Sequence, residues 1–141
     1  MNILVIGGAG YIGSITVEQL TAAGHSVTVI DDLSRGHRGA VAPGAELAMG
    51  DFGDRPFLDS VLSRRPFDAA MHFGASSLVG ESVSDPATYY RNNMGKGIEL
   101  VRALMDHGVK RLIFSSTAAT FGEPRSVPIR EDDPQIPTNP Y

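Results

Sequence analysis

The sequence predicts an α/β fold in which a parallel β-sheet is covered by helices on both faces. Short apolar runs of strand length alternate with longer amphipathic stretches of helical length along most of the 141 residues. The first apolar run leads directly into a glycine-rich turn, and the second ends in two acidic residues. Such alternation is typical of β-α-β units, whose strands run parallel. We expect about five strands in the spatial order 3-2-1-4-5, a doubly wound sheet with a ligand crevice at the carboxyl ends of strands 1 and 4.

The first elements have clear local signals. Asn2–Ile6 has the sequence NILVI, an apolar run expected of a strand that is buried on both faces. A helical pattern over Tyr11–Ala23 is closed by Gly24, and Ser26–Ile30 is the second predicted strand. Arg35–Val41 is at best a short helix, because its two glycines lower the helix propensity.

The later elements continue the alternation. In turn, the sequence predicts a third strand, a helix, a fourth strand, a long helix and a fifth strand over Glu46–Met49, Arg55–Arg65, Asp68–Phe73, Ala87–His107 and Arg111–Ser115. Asp54 is a candidate N-cap for the shorter helix, and Gly108 is a stop signal for the longer one. Beyond Phe121, closely spaced prolines and acidic residues predict an irregular segment. We therefore divide the chain into a nucleotide-binding domain over residues 1–122 and a proline-rich segment over residues 123–141.

Composition narrows the function classes. A formal net charge of −4 gives no electrostatic reason to expect nucleic acid as a partner. No apolar run approaches the roughly 20 residues of a membrane span, so we expect no membrane segment. The chain has no cysteine, which fits a cytoplasmic location, and its four histidines are too scattered for a helical zinc site. We expect those histidines to be structural and expect no metal.

The stretch IGGAGYIGS is the strongest functional signal. Gly7, Gly10 and Gly13 fit the pattern G-x-x-G-x-x-G, after a predicted strand and at the start of a predicted helix. A side chain at Gly10 would keep the backbone away from a pyrophosphate, and Gly13 allows the helix to pack on the strand. The helix N-terminus supplies free N–H groups and partial positive charge to the phosphates. The alternative is a plain glycine turn without a ligand.

The second predicted strand ends in Asp31 and Asp32. A carboxylate at this position can accept both ribose hydroxyls of an adenosine and repel a 2′-phosphate, which favours NAD over NADP. Arg35 and Arg38 are near enough in sequence to reach such a phosphate and argue in the other direction. The residues therefore predict an NAD site, and Arg35 and Arg38 are the two residues that argue for NADP instead.

Three further stretches end predicted strands beside the crevice. In GDF, Asp51 can accept from the adenine amino group while Phe52 packs on the ring, although a helix cap is an equal alternative for Asp51. HFGASS places small residues where a dinucleotide would cross, and SST ends the fifth strand in hydroxyls. Either stretch could instead cap a turn.

Taken together, these stretches resemble the extended short-chain dehydrogenase/reductase superfamily and, within it, the UDP-glucose 4-epimerases. The resemblance covers essentially the whole chain and includes GGAGYIGS, HFGASSLVGESV, YYRNN and SSTAATFGEP. It implies a Rossmann-like fold, bound NAD and inversion at C4 of a UDP-hexose through a 4-keto sugar. Sugar-nucleotide dehydratases of the superfamily have an acidic pair where this chain has Ala118 and Ala119, which argues against dehydration.

The resemblance also implies residue roles. It places pyrophosphate at the glycine loop, ribose at Asp31, adenine at the GDF stretch and nicotinamide near the fifth strand. Besides Gly13 and Asp32, the cofactor-binding residues it implies are Gly7, Gly10, Tyr11, Ile12, Asp31, Asp51, Phe52, Phe73, Gly74, Ala75, Ser77, Asn92 and Ser115. Thr117 would be the catalytic hydroxyl residue and Tyr141 the catalytic tyrosine. Departures from the family pattern are Asp32 in place of a frequent Asn, Phe121 in place of a frequent Tyr, and MGKG at 94–97 in place of V-x-G-T.

The stretch TNPY resembles the start of the superfamily's Tyr-x-x-x-Lys motif, and residue 141 is its tyrosine. We therefore expect the lysine, the last strands of the sheet and the C-terminal substrate domain to be absent from this chain. We expect the chain to be inactive by itself. Because Ile98, Val101, Leu104 and Met105 follow each other at helical spacing, we also expect exposed apolar surface and homo-oligomers larger than a dimer.

Two alternatives remain open at this stage. The chain could bind NAD as a module without catalysis, or it could belong to another extended-family enzyme that acts on a UDP-uronate or UDP-pentose. Substrate contacts in the family lie mostly beyond the stretch that corresponds to residues 1–141, so the sequence does not separate a hexose from these other sugars.

Overall fold

The structure, a computed structural model, describes residues 1–141 and contains one parallel sheet of five strands. The strands are β1 (Asn2–Ile6), β2 (Ser26–Asp31), β3 (Glu46–Met49), β4 (Ala69–His72) and β5 (Leu112–Phe114). Their spatial order is β3-β2-β1-β4-β5, and every neighbouring pair is parallel. The predicted strand order, the parallel sheet and the Rossmann-like class are confirmed.

Helices cover both faces of the sheet. They are α1 (Tyr11–Ala22), α2 (Arg55–Leu62), α3 (Val79–Ser84), α4 (Pro86–Tyr89) and α5 (Lys96–Asp106). As predicted, Asp54 caps α2, and its side chain accepts a hydrogen bond from the Phe57 N–H at 3.3 Å. None of the helices has the combination of length and apolar character that crossing a membrane requires.

The core forms two layers because successive strand residues point to opposite faces. Leu4 and Ile6 of β1 join the cluster beneath α2 and α5, whereas Ile3 and Val5 join the cluster beneath α1. Val17 of α1 is fully buried against the second layer. Burial of β1 on both faces matches the unbroken apolar run from which the strand was predicted.

Three features differ from the sequence prediction. The long helix predicted over residues 87–107 is interrupted by a π-helical turn, Tyr90–Gly95, between α4 and α5. The helix α3 was not predicted, since its VGESVS sequence is short and contains a glycine. The poor helix predicted over residues 35–41 is reduced to a single 3₁₀ turn, Arg38–Ala40, as the low helix propensity of its glycines explains.

The segment after β5 contains one 3₁₀ turn, Ala118–Phe121, and no later helix or strand. The segment folds back on itself, so that Gly122 lies against the backbone of Ile136. A Cβ on Gly122 would lie only 2.0 Å from the Ile136 carbonyl oxygen. Gly122 also has a φ of 62°, in the region that favours glycine. The assignment of residues 1–122 and 123–141 to separate functional parts stays a prediction.

Candidate functional site

The glycine loop between β1 and α1 contains two glycines that the fold itself requires. A Cβ on Gly13 would lie 2.1 Å from the Gly7 carbonyl oxygen, so any side chain there would collide with the backbone. Gly7 has a φ of 77°, and a Cβ on it would lie 2.6 Å from the Gly74 nitrogen. These contacts bring the start of α1, the end of β1 and the end of β4 together.

Gly10 is different, because the fold leaves its side-chain position open. A Cβ on Gly10 would meet only the Gly7 carbonyl oxygen, at an ordinary distance of 3.4 Å. Its backbone, with φ −79° and ψ 176°, suits any residue. Packing within the protein therefore gives no reason for a glycine here, whereas a ligand lying against the backbone does.

Unpaired donors surround this open position. Gly10 is the N-cap of α1 and provides no side-chain cap, and the N–H groups of Tyr11, Ile12 and Gly13 have no acceptor in the protein. No acidic residue lies in the first turn of α1 to occupy these donors. Large side chains at Tyr11 and Ile12 are exposed at the same point. The loop thus fits an anionic group such as a pyrophosphate, as the glycine spacing predicted.

Asp31, at the end of β2, is buried beside the glycine loop. Its Oδ2 accepts a hydrogen bond from the Ala9 N–H at 2.9 Å, and its Oδ1 accepts one from the Leu33 N–H at 2.9 Å. Each carboxylate oxygen has a further lone pair for a ligand donor. The carboxylate is therefore fixed in place and can still accept two hydroxyl groups.

The neighbours of Asp31 explain how the loop after β2 is arranged. Asp32 is exposed, and its Oδ1 accepts hydrogen bonds from the N–H and hydroxyl of Ser34 within the loop. Arg35 faces Glu81 at the start of α3, 3.4 Å away, and Arg38 faces the Met49 sulfur at 3.6 Å. Arg35, which argued for a 2′-phosphate, thus has an acidic partner within the protein.

Asp51 follows β3, in a loop tied to the glycine-loop side through the Gly50 N–H, which donates to the Asp31 carbonyl at 3.0 Å. Asp51 does not cap α2; its Oδ1 accepts from the Gly53 N–H at 2.8 Å, and its Oδ2 accepts from the Lys96 ammonium at 2.7 Å. Partial burial raises the pKa of Asp51, but the hydrogen bonds from Lys96 and Gly53 outweigh it and hold the pKa below its ordinary value. Asp51 is therefore an ionised acceptor. Lys96 was not among the predicted site residues, and its only signal in the sequence is the departure MGKG.

Phe52 and His72 pack together at the carboxyl ends of β3 and β4. Phe52 belongs to the core, and its ring lies edge-on to His72 with 5.0 Å between the ring centroids. His72 is buried between Phe52 and Phe114, and burial lowers its pKa to about 4. The Nε2 of His72 has no hydrogen-bond partner, while Nδ1 accepts from the Gly74 N–H at 3.3 Å. His72 is neutral at pH 7, and no group of three or more potential metal-ligating side chains includes it.

The loop after β4 is held by an asparagine that the sequence analysis did not select. Asn93 pairs with the backbone of Ser76, since its Oδ1 accepts from the Ser76 N–H and its Nδ2 donates to the Ser76 carbonyl, each at 2.9 Å. Asn92 donates to the Asn93 Oδ1 at 3.1 Å. Phe73, Gly74 and Ala75 are half-buried along this loop, and Ser77 is exposed. The two adjacent asparagines of YYRNN were the only sequence signal for this role. The contact with Ser76 shows that Asn93, not Asn92, holds the loop.

The last predicted site residues lie beyond β4 and β5. The Ser115 N–H donates to the His72 carbonyl at 3.1 Å, which places Ser115 beside the end of β4. The Thr117 hydroxyl oxygen accepts from the Ala119 N–H at 3.1 Å, so its proton is free for another acceptor. The Tyr141 ring lies edge-on to the buried Tyr89, with centroids 6.5 Å apart.

The structure thus assembles the predicted residues to different degrees. Backbone and side-chain contacts join the glycine loop, Asp31, the Asp51 loop and the Gly74 loop at one edge of the sheet. Thr117 and Tyr141 lie on the irregular segment, and no hydrogen bond joins one to the other. The part of the candidate site around the glycine loop and Asp31 is therefore the better defined part.

Comparison with known proteins agrees with this geometry. The sequence profile of the NAD dependent epimerase/dehydratase family matches residues 3–141. A UDP-glucose 4-epimerase of Lacticaseibacillus casei is 55% identical over 141 residues, which are 100% of this chain and 43% of that protein. The chain thus spans well under half the length of the curated relatives it matches.

Solved structures give the same result. A UDP-glucose 4-epimerase from Brucella ovis in complex with NAD superposes with a TM-score of 0.96 at 44% identity, over 99% of this chain and 43% of the other. One from Thermotoga maritima with UDP-glucose has a TM-score of 0.94 at 34% identity, over 100% and 46% of the two chains. With a family profile that spans almost every residue and a shared fold, the chain belongs to the NAD dependent epimerase/dehydratase family.

Proposed function

We propose that residues 1–141 form the NAD-binding part of a UDP-hexose 4-epimerase. The observation that carries this proposal is the open position at Gly10. The protein's own packing does not require a glycine there, and the adjacent helix N-terminus presents three N–H groups without acceptors. A pyrophosphate accounts for both features, and the buried carboxylate of Asp31 next to it accounts for a ribose.

The coenzyme would lie across the carboxyl edge of the sheet. Gly7, Gly10, Tyr11 and Ile12 would hold the pyrophosphate, and Asp31 the adenosine ribose. Asp51 and Phe52 would contact adenine, although the core position of the Phe52 ring leaves mainly its backbone for that contact. The path to the nicotinamide would follow Phe73, Gly74, Ala75, Ser77, Asn92 and Ser115. Asp32, also predicted to bind the cofactor, holds the loop beside Asp31 through its hydrogen bond with Ser34.

When bound, NAD supplies a reversible acceptor for the hydride at C4 of the sugar. The chain's own residues would handle the proton. The Thr117 hydroxyl can donate its free proton in a hydrogen bond to the sugar oxygen, and the Tyr141 phenolate would take the 4-OH proton to become the phenol and later return it. His72, at the end of β4, is buried and neutral, so it adds no charge to this part of the chain.

A UDP-hexose is the proposed substrate because the relatives of 49–55% identity are named UDP-glucose 4-epimerases. The UDP-pentose or UDP-uronate alternative and the alternative of an NAD-binding module without catalysis make different predictions for the experiment below. A cytoplasmic location stays a prediction of the sequence, and a role in galactose metabolism is part of the proposed function.

A chimera tests the activity. Residues 1–141 would replace the matching segment of the Lacticaseibacillus casei relative, whose 55% identity should preserve the interface with the remaining residues. We expect interconversion of UDP-galactose and UDP-glucose in a coupled assay. Tyr141→Phe should lower the rate by about 10²–10⁴-fold, the range for loss of a positioned proton acceptor.

The outcomes separate the alternatives. A folded chimera that binds NAD but turns over no UDP-sugar would support a binding module and contradict the epimerase proposal. Turnover of UDP-pentoses in strong preference to UDP-hexoses would replace the substrate. The unaltered relative and its own tyrosine variant serve as matched controls.

A further inference from the structure

Lys96 is a charged residue of the crevice to which the proposed mechanism gives no role. It is the first residue of α5 and directly follows the π-helical turn Tyr90–Gly95. Its ammonium reaches over the Phe52 ring to the Asp51 Oδ2 at 2.7 Å, between residues that are 45 positions apart in sequence. Its side chain is 26% exposed, so the pair is partly shielded from water.

The surroundings are shaped to hold the Lys96 side chain in this position. A Cβ on Gly53 would lie 2.4 Å from the Lys96 Cγ, so the absence of a side chain at Gly53 gives the lysine stem its path. The ammonium lies 5.6 Å from the centroid of the Phe52 ring, within cation–π range. The π-helical turn also matters, since its extra residue rotates everything after it by about 100° relative to an uninterrupted α-helix.

The V-x-G-T pattern of the family that the sequence resembles does not provide this contact. In the alignment of MGKG with V-x-G-T, Lys96 stands where the pattern has glycine. A glycine at that position has no side chain to reach Asp51. The second tether on the Asp51 carboxylate is therefore a property of this sequence rather than of the pattern.

The two tethers fix which way the carboxylate faces. The Gly53 N–H occupies one lone pair of Oδ1, and Lys96 occupies one lone pair of Oδ2. The carboxylate is ionised and can only accept hydrogen bonds, so its remaining lone pairs favour a donor and repel an acceptor. The 6-amino group of adenine is a donor, whereas the 6-oxo group of hypoxanthine is an acceptor.

We propose that Lys96 is a positioning residue that fixes the Asp51 carboxylate as the acceptor for the 6-amino group of the coenzyme's purine, and so sets selectivity for the adenine over the hypoxanthine dinucleotide. This inference rests on the proposed NAD site. Without Lys96, the carboxylate is held by the Gly53 N–H alone and can turn about its Cβ–Cγ bond. The contact with a 6-amino group then becomes intermittent, and the repulsion of a 6-oxo group weakens with it.

Calorimetric titration of the 141-residue chain with NAD and with nicotinamide hypoxanthine dinucleotide tests the proposal. We expect the unmodified chain to prefer NAD by about tenfold, the value of one good hydrogen bond to a charged group. Lys96→Met should reduce the preference to about threefold or less, and Lys96→Arg should restore most of it. Asp51→Asn should abolish it, because an amide can present either a donor or an acceptor, and adding Lys96→Met to Asp51→Asn should change nothing further.

Lys110→Met is the matched control. Lys110 is exposed and precedes β5, at the amino-terminal edge of the sheet, away from the crevice, so it removes the same charge without touching Asp51. The preference of the Lys110→Met variant for NAD over the hypoxanthine dinucleotide should equal that of the unmodified chain. Circular dichroism should show that both methionine variants are folded. Equal weakening of both dinucleotides in Lys96→Met, or an increased preference for NAD, would overturn the role of Lys96. Failure of the unmodified chain to bind either dinucleotide would overturn the proposed function and this inference with it.

Discussion

The strands β1 and β5 have similarly apolar sequences and lie in the same sheet, yet their environments are opposite. Four of the five residues of β1 are buried, whereas Leu112, Ile113 and Phe114 of β5 are 40%, 57% and 56% exposed. β1 has a strand on each side and helices on both faces; β5 is an edge strand paired only with β4. An apolar run therefore indicates what a strand can bury, and its neighbours decide how much is buried.

The same contrast separates the two ends of the candidate site. Beside β1 and β2, the glycine loop and Asp31 are held in place by packing and hydrogen bonds within the chain. Beyond β5, Thr117 and Tyr141 lie on an irregular segment with few such contacts. The proposed dinucleotide end is preorganised, and the proposed proton-transfer end is much less so. The predictions below test each half of this difference.

The largest expected effect is at Gly13. Gly13→Ala places a methyl carbon 2.1 Å from the Gly7 carbonyl oxygen, so we expect a loss of about 4 kcal/mol or more in the free energy of unfolding. Gly97→Ala in α5 is the control, because a Cβ there meets nothing within 4 Å. That control should be neutral or stabilise by about 0.5–1 kcal/mol. Urea unfolding that shows equal stabilities for the two variants would contradict the packing described for the glycine loop.

A second prediction concerns pH and the buried His72 between the two halves. Its pKa of about 4 in the folded chain lies below the ordinary 6.5, so the unfolded chain binds the proton more readily. The contribution of His72 to the free energy of unfolding is therefore fully present above pH 6.5. It is lost as the pH falls from 6.5 to 4, by about 3 kcal/mol in all. Unfolding free energies measured across this range should show the slope, and His72→Phe should remove it.

The variant Asp59→Asn distinguishes the pH dependence of stability that is due to His72 from the pH dependence that is due to carboxylates. Hydrogen bonds from His107 and Arg55 hold the pKa of Asp59 below its ordinary 3.8. Its contribution is present above pH 3.8 and is lost only as the pH falls through the lower folded value. The Asp59→Asn variant should keep the slope between pH 6.5 and 4. A slope that persists in His72→Phe would assign it to other groups.

Much of this architecture could be predicted from local sequence. β1 and β3 have the predicted bounds, and the glycine spacing predicted the turn from β1 into α1, because each depends on a short run of residues. The π-helical turn could not be predicted in this way. It is accompanied by contacts of Asn93 with Ser76 and of Lys96 with Asp51, which join residues far apart in sequence. For the same reason Lys96 and Asn93 were missed as site residues.

A third prediction separates ligand binding from folding within the glycine loop. Gly10→Ala should leave the free energy of unfolding within about 0.5 kcal/mol, since the backbone suits alanine and no protein atom is crowded. The methyl group would nevertheless project into the proposed pyrophosphate position. We expect NAD affinity to fall by about tenfold or more, or at least 1.4 kcal/mol. Calorimetry that shows unchanged NAD affinity in the folded variant would remove the main support for the proposed site.

The smallest effect on stability, and the sharpest test of the β5 half, concerns self-association. The sequence predicted an exposed row that included Leu104, but Leu104 is 3% exposed and faces the core. The row that remains on α5 contains Ile98, Val101 and Met105, which are 54%, 40% and 71% exposed, next to the apolar residues of β5. Contiguous apolar surface of this kind favours association, so we expect the unmodified chain to form homo-oligomers in sedimentation velocity.

Replacing Ile98 and Met105 by Gln should weaken association by about tenfold or more while changing the free energy of unfolding by only about 0.5 kcal/mol, because both side chains are already largely solvated. Val127→Gln is the control, since Val127 is 86% exposed on the irregular segment, away from α5. Two results would mean that this exposed surface does not drive association. One is an unmodified chain that stays monomeric at high concentration, and the other is a Val127→Gln variant whose association is weakened as much as that of the Ile98 and Met105 variant.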